Sequence, residues 1–229
     1  MNQGPDVRDR VARWVLTLSI PFVLLLSNLY LLTTPLFVRF EYARPAFPPA
    51  ELFSDRERLS LAEATVHYLR SGEGPEYLRT LRPTWQVYNE REVKHLVDVK
   101  VVMDAAFAVQ AGALVLAVAG FFWLWRRRTS RSSAWLAVAR GCAVLLAALL
   151  AVGVVVYFSF DVFFVFFHRV FFSGDSWLFA YTDTLIQLFP VQFWIDATWA
   201  LALLAIAEAA LVGGAIFAIG RRQAKAESD

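Results

Sequence analysis

DAAFAVQAGALVLAVAGFFWLWRRRTSRSSAWLAVARGCAVLLAALLAVGVVVY, running from Asp104 to Tyr157, is the stretch whose reading decides the fold. Its two apolar runs, about 104–125 and 135–157, are each long enough as a helix to cross a hydrocarbon core of about 30 Å. Between them lies a short loop carrying Arg126, Arg127, Arg128 and Arg131. Two apolar helices joined by arginines make a transmembrane hairpin, and basic loops stay on the cytoplasmic side.

Two more spans appear on either side of this hairpin, at about 14–38 and 197–219. The first follows Arg8, Arg10 and Arg13, as a signal peptide would, but it is too long for a signal-peptide core and lacks a small-residue cleavage site. It therefore reads as an uncleaved span. Arg221, Arg222 and Lys225 follow the last span, which predicts both termini in the cytoplasm. Composition agrees with a membrane protein: 58% of the 229 residues are hydrophobic, 18% are charged, and the mean hydropathy is +0.50. A net charge of +2 with scattered basic residues argues against a nucleic-acid partner. Cys142 is the single cysteine, which excludes an intrachain disulfide and a cysteine redox pair.

The predicted fold class is thus an all-α integral membrane protein of one domain with four transmembrane helices. Residues 39–103 form an extracytoplasmic helical cap and the start of the second span, and 158–196 form an outer, aromatic-rich segment that is interfacial or re-entrant. In the first outer segment, Ser60-Leu-Ala-Glu63 predicts a capped helix that ends near Ser71-Gly72. A second start at Asn89-Glu-Arg-Glu92 has no breaker before the second span, so one long helix is expected there. On it Glu92, His95, Asp98 and Val102 recur at three and four residues and share a face.

The second outer segment lies beyond an apolar run, Ala143 to Phe172, interrupted only by Asp161, His168 and Arg169. A straight helix of that length overshoots the membrane core, so the chain must bend or re-enter. Sixteen of the 35 aromatic residues fall between Tyr157 and Trp199. Asp175 is expected to cap an amphipathic helix carrying Trp177, Tyr181, Leu185 and Leu188 on one side, stopped by Phe189-Pro190 and lying flat in the interface.

Three histidines are present. His67 reads as an ordinary surface residue. His95 and His168 both fall at the outer end of a span, where neutral imidazoles can take or give a proton near pH 7. Three chemistries remain open from the residues alone: acid–base catalysis, a metal site built from Glu92, His95, Asp98 and His168, or haem held between the two histidines. Asp98 could orient an imidazole or pair with Lys94 or Arg91. Glu208 and Asn28, within spans, read as hydrogen-bonded packing groups, Glu208 with Gln110. Gly213-Gly214 reads as a site of close helix approach, and Arg169 as a group for a phosphate or carbonyl oxygen, or one that snorkels.

Two strings narrow this choice: Asn89-Glu-Arg-Glu-Val-Lys-His95-Leu-Val-Asp98-Val-Lys100, and Phe167-His168-Arg-Val-Phe-Phe172 running on through Trp177, Asp183, Phe189-Pro190, Phe193-Trp194 and Asp196. They resemble the bacterial lipoprotein intramolecular transacylase (Lit) family, and the resemblance extends to the order of spans and cap. It implies an enzyme of the bacterial cell membrane, an intramolecular O-to-N acyltransferase with its active site at the outer interface. The sn-2 acyl chain of a diacylglyceryl-modified lipoprotein would move to the α-amino group of the N-terminal cysteine, leaving the lyso form. By motif His95 and His168 are the implied catalytic pair. Arg91, Glu92, Asp98, Phe167, Arg169, Trp177, Tyr181 and Asp183 are the candidates for binding or orienting substrate. No cofactor and no metal ligand set is assigned, the partners are lipoproteins and membrane lipids, and no oligomeric state is read. A haem-binding electron carrier and a non-catalytic lipid- or protein-binding member of the same fold are the competing functions.

Overall fold

The computed structural model describes residues 6–127 and 131–226, with side chains as far as 218. Arg128 lies outside the described residues, as do the side chains of Arg221, Arg222 and Lys225. Among the described residues the chain is helical without strands: α1 (Val7–Ser27), α2 (Leu29–Leu32), α3 (Pro35–Tyr42), α4 (Asp55–Arg70), α5 (Glu76–Arg79), α6 (Glu90–Arg126), α7 (Arg131–Phe158), α8 (Phe160–Phe171), α9 (Thr184–Leu188) and α10 (Val191–Ala226). Four helical stretches are long and apolar enough to cross a membrane: Val7–Leu32, Glu90–Arg126, Arg131–Phe158 and Val191–Ala218.

The first of these starts and stops earlier than the expected 14–38. Asp6 caps α1 by accepting from the Arg8 amide. At the other end Thr34 caps a new helix with Pro35 in its first turn, and proline favours that position because its missing N–H would be unpaired anyway. The cap helix also begins earlier than expected. Ser54 and Glu57 form the capping box of α4, so Ser60 and Glu63 lie inside the helix. The Ser54 pair precedes the apolar stripe by one turn, which places Leu61, Ala62, Thr65, Val66 and Tyr68 on the buried face.

The long helix expected from Asn89 is present as α6. Its cap is reciprocal: the Glu92 amide donates to Asn89 Oδ1 at 3.0 Å, and the Asn89 amide donates to Glu92 Oε2 at 2.8 Å. At 37 residues α6 is about 55 Å long, well beyond one hydrocarbon core. The expected bend is at Ser159, whose φ of −157° and ψ of 72° separate α7 from α8.

The chain divides into two compact units. One comprises residues up to Asn28, 107–154, and 202 onward. Its core is Leu16, Ala117, Leu124, Ala134, Ala137, Val138, Cys142, Leu145, Ala205 and Ala209. Small side chains let these helices approach closely, which is how apolar helices associate where water is absent. Gly141 marks the tightest crossing: a Cβ there would stand 2.6 Å from Ile20 Cβ and 2.8 Å from the Thr17 carbonyl. Gly213 and Gly214 have open space around them, so the close approach expected there is made at Gly120 and Gly141 instead. Glu208 is held by Ser27 Oγ and Asn28 Nδ2, each donating at 3.3 Å, rather than by Gln110.

The other unit comprises 29–106 and 155–201. Tyr68, Leu78, Val87, Tyr88 and Val93 are almost completely buried in it. Thr65 and Tyr88 share a hydroxyl hydrogen bond, and Thr184 Oγ1 donates to the Val87 carbonyl at 2.6 Å. Lys100 Nζ donates to the carbonyls of Tyr68, Ser71 and Glu73, satisfying the open end of α4.

Candidate active site

His95 sits one turn into α6, and its position follows from the Asn89–Glu92 cap. With both amides of the first turn satisfied, the helix starts at a defined residue and its inward face carries Glu92, Val93, His95 and Leu96, all buried. Glu92 Oε1 also accepts from the Leu185 amide at 2.6 Å. One carboxylate thus ties the start of α6 to α9. Its oxygens are committed to backbone amides, which removes Glu92 from the metal site considered above. Among the described residues no group of three or more His, Cys, Asp or Glu side chains stands together as a ligand set.

His168 comes from α8, half-buried among aromatic rings. The two imidazole centroids are 6.1 Å apart and their planes differ by 20°. Phe172 lies 4.9 Å from His95 and 5.4 Å from His168. Phe179 packs edge-on to His95 at 5.3 Å, and Trp177 covers His168 at 4.8 Å. Phe172 thus packs against both rings from one side.

The two imidazoles differ in their hydrogen bonds. His168 Nδ1 stands 2.8 Å from the Phe164 carbonyl. A carbonyl oxygen only accepts, so Nδ1 carries the proton and the neutral ring keeps its lone pair on Nε2. Burial holds the His168 pKa below the ordinary 6.5, with the Phe164 hydrogen bond opposing. The ring is therefore mostly neutral at pH 7. His95 is 6% exposed, and its Nδ1 is buried without a hydrogen-bond partner among the described residues. An orphaned buried nitrogen facing an aromatic pocket costs about 1–3 kcal/mol until something bonds to it.

The other expected residues divide into those that build the pocket and those that stand outside it. Trp177 is 9% exposed and donates from Nε1 to the Gly174 carbonyl at 3.1 Å. Asp183 accepts from Arg91 at 2.9 Å, from Asn89 Nδ2 at 3.2 Å and from the Ala180 amide at 2.7 Å. These bonds tie the loop bearing Trp177 and Phe179 to the start of α6. The interfacial helix expected from Asp175 does not form. Residues 173–183 are turns and irregular backbone, Gly174 takes φ +68°, and only Thr184–Leu188 is helical. The Asp183 carboxylate draws the Ala180 amide and Arg91 to itself, which favours a compact loop over a continuous helix. Tyr181 is 81% exposed, so it does not share a buried face with Trp177. Phe167 flanks His168 at 5.7 Å. Asp98 is half-buried, bonds to neither imidazole, and forms no ion pair with Lys94 or Arg91. Arg169 is exposed, and His67 is exposed beside Tyr77 at 5.6 Å. Phe172 and Phe179 belong to the site although no spacing singled them out, because their place depends on how the loop folds back.

Chains of known relation bear on this geometry. A family model described as lipoprotein intramolecular transacylase Lit matches residues 14–194. The chain belongs to that family. It is therefore a membrane-integral member of the lipoprotein transacylases, and the matched range contains both His95 and His168. An uncharacterized protein of Aquifex aeolicus is 29% identical over 193 residues, covering 83% of this chain and 86% of its own. The lipoprotein intramolecular transacylase Lit of Bacillus cereus, solved in meso, shares the fold with a TM-score of 0.71 at 20% identity, covering 96% of this chain and 97% of that one. A histidine-to-arginine variant of that enzyme superposes with a TM-score of 0.70 at 19% identity, covering 95% of this chain and 94% of that one.

Proposed function

We propose that the chain moves the sn-2 acyl chain of a diacylglyceryl-modified lipoprotein onto the α-amino group of its N-terminal cysteine, with His95 and His168 as the catalytic pair. The observation that supports it best is the pairing itself. One imidazole has its tautomer set by a carbonyl, and the other has a buried, unmatched nitrogen 6.1 Å away between ring centroids.

An α-ammonium with a pKa of about 7.7–8 first loses a proton to solvent. The neutral amine then attacks the ester carbonyl, and His168 Nε2 takes the second proton as the N–C bond forms. The proton that His168 has taken passes to His95, which delivers it to the glycerol oxygen as the C–O bond breaks, so both imidazoles end neutral and no proton is consumed. Nucleophile and ester belong to one molecule, and the protein's further task is to force them together and exclude water, which would hydrolyse the ester. Phe172, Trp177 and Phe179 surround the pair with apolar rings suited to that. In this reading residues 39–103 form the extracytoplasmic cap and the start of the second span, the termini are cytoplasmic, and the pair works at the outer interface, where ester and thioether lie below the headgroups.

The test is incubation of the detergent-solubilised protein with a synthetic diacylated lipopeptide, followed by tandem mass spectrometry. Intramolecular transfer leaves the mass unchanged and gives fragments of an N-acylated cysteine bearing a monoacylglyceryl group. A peptide returned unaltered, or one that loses a fatty acid to water, refutes the reading.

A further inference from the structure

A second site stands apart from the histidines, in a cavity of about 420 Å³ walled by α3, the chain after it and the first turn of α4. Arg39 and Tyr42 come from α3, Phe47 and Pro48 from the connecting chain, and Asp55 and Arg58 from α4. Arg58 is 3% exposed, so its guanidinium has been taken out of water. It donates to the Pro48 carbonyl and lies over the Tyr42 and Phe47 rings at 4.7 and 4.8 Å. Its Nε is buried without a hydrogen-bond partner among the described residues.

The neighbouring arginines are treated differently. Arg39 is met by Glu63, and Arg44 is met by both Glu41 and Asp196. Among the described residues no carboxylate comes within ion-pairing distance of Arg58. Contacts with ring faces recover only part of what a buried charge without a counter-charge costs. Burial accordingly pulls the Arg58 pKa below its ordinary value. The missing counter-charge is one the ligand would bring.

We propose that this cavity holds the phosphodiester headgroup of a membrane phospholipid, with a phosphate oxygen against Arg58. A planar guanidinium suits phosphate. The outer side of α3 indicates which kind of phosphate: Leu36 and Phe40, one turn apart, are 65% and 62% exposed beside Arg39. An amphiphile satisfies both features, its headgroup in the cavity and its chains along Leu36 and Phe40, whereas a free anion or an acidic peptide uses only the first. Asp55, exposed at the rim, repels a second negative charge. The proposal is independent of the acyl-transfer reading, because the site shares no residue with the histidine pocket and its test reads binding.

The full chain in lipid-free detergent is titrated with short-chain phosphatidylglycerol, with diacylglycerol of the same chains, with inorganic phosphate and with an acidic peptide, and adducts are counted by native mass spectrometry. Phosphatidylglycerol is expected to bind, and Arg58→Gln to weaken it by tenfold or more while leaving diacylglycerol binding unchanged. Asp55→Asn, at an exposed position, should tighten it several-fold, and that variant decides the matter should Arg58→Gln fail to fold. Undiminished binding by a folded Arg58→Gln variant overturns the proposal. So does an unchanged affinity in Asp55→Asn, or Arg58-dependent binding of phosphate or peptide in place of lipid.

Discussion

The two units of the chain treat polar groups in opposite ways. In the unit built on Leu16, Ala117 and Ala137, polar side chains are answered from within: Glu208 by Ser27 and Asn28, Asp9 by Trp123 and Arg127, and Thr17 by the Ala137 carbonyl. Trp135 Nε1 is an exception. In the other unit, His95 Nδ1, Arg58 Nε and Ser176 Oγ are buried without a hydrogen-bond partner among the described residues. A buried unpaired group costs free energy that folding alone gives no reason to spend. Arg58, which lines a cavity, is the one for which a phosphate partner is proposed above.

The sharpest way to break this comparison is to remove the histidines. His168→Ala and His95→Ala should each slow acyl transfer by about 10²–10⁴-fold, the usual contribution of a positioned acid or base. The rates come from lipopeptide turnover, and thermal melts of the same samples should show that the fold survives. Full activity in either variant removes that histidine from the mechanism.

The opposite outcome is expected in the tightly packed unit. Gly141→Ala puts a methyl against Ile20 and the Thr17 carbonyl, and overpacking of this kind costs about 1–3 kcal/mol. Its melting temperature should drop, while the folded fraction transfers acyl chains at the wild-type rate.

Glu92→Ala bridges the two behaviours, since it strips the partner from the Asn89 and Leu185 amides. Each abandoned amide costs about 1–3 kcal/mol. Because the same carboxylate holds the start of α6 to α9, both stability and turnover should fall, and Glu92→Gln should recover only part of each.

The pH dependence sharpens the roles of the pair. His168 has its pKa held below 6.5 by burial, and the substrate amine titrates near 7.7–8. Between these values the logarithm of kcat/KM should rise with pH at a slope of 1, set by the amine alone. Below the His168 pKa, protonation of the base adds a second factor and the slope should steepen to 2. A plateau between 6.5 and 7.7 would mean that the amine is not the nucleophile.

The smallest effect is expected at Arg91 and Asp183, where the arginine is half exposed. Arg91→Gln should cost about 0.2–1 kcal/mol in a thermal or chemical melt, the usual worth of an exposed pair. A much larger loss would make the loop latch a principal support of the pocket.

What was legible in the sequence follows from its periodicities and its local hydrogen-bonding chemistry. Spans of apolar residues can only be helices where backbone groups have no water to bond, so the four crossings, the long helix from Asn89 and the break before His168 could be read from residue order alone. The two histidine strings were read by their resemblance to a family, since spacing alone left their chemistry open. Three features were not legible, and all three depend on contacts between residues far apart in the chain. Asp175 and the aromatic spacing beyond it describe a good amphipathic helix, yet Asp183 gains more from Arg91 and Asn89, some ninety residues away, than from continuing a helix. Gly213-Gly214 has the composition of a crossing point, yet the crossing is at Gly141, because only the packed arrangement of α1 against α7 decides which glycine faces a neighbour. Ser60 and Glu63 have the spacing of a capping box, and so do Ser54 and Glu57. Local sequence permits both, and the burial of Leu61, Thr65 and Tyr68 selects the earlier one.

By itself, then, the sequence determined an all-helical membrane protein with four crossings, because membrane crossing and helix capping are set by near neighbours, while His95 and His168 came only from the resemblance of their two strings to one family. Tertiary structure alone decided that the two imidazoles meet, that Phe172 and Phe179 enclose them, and that Arg58 is buried without a carboxylate. Each of those depends on which distant side chain arrives to fill or leave open a particular space.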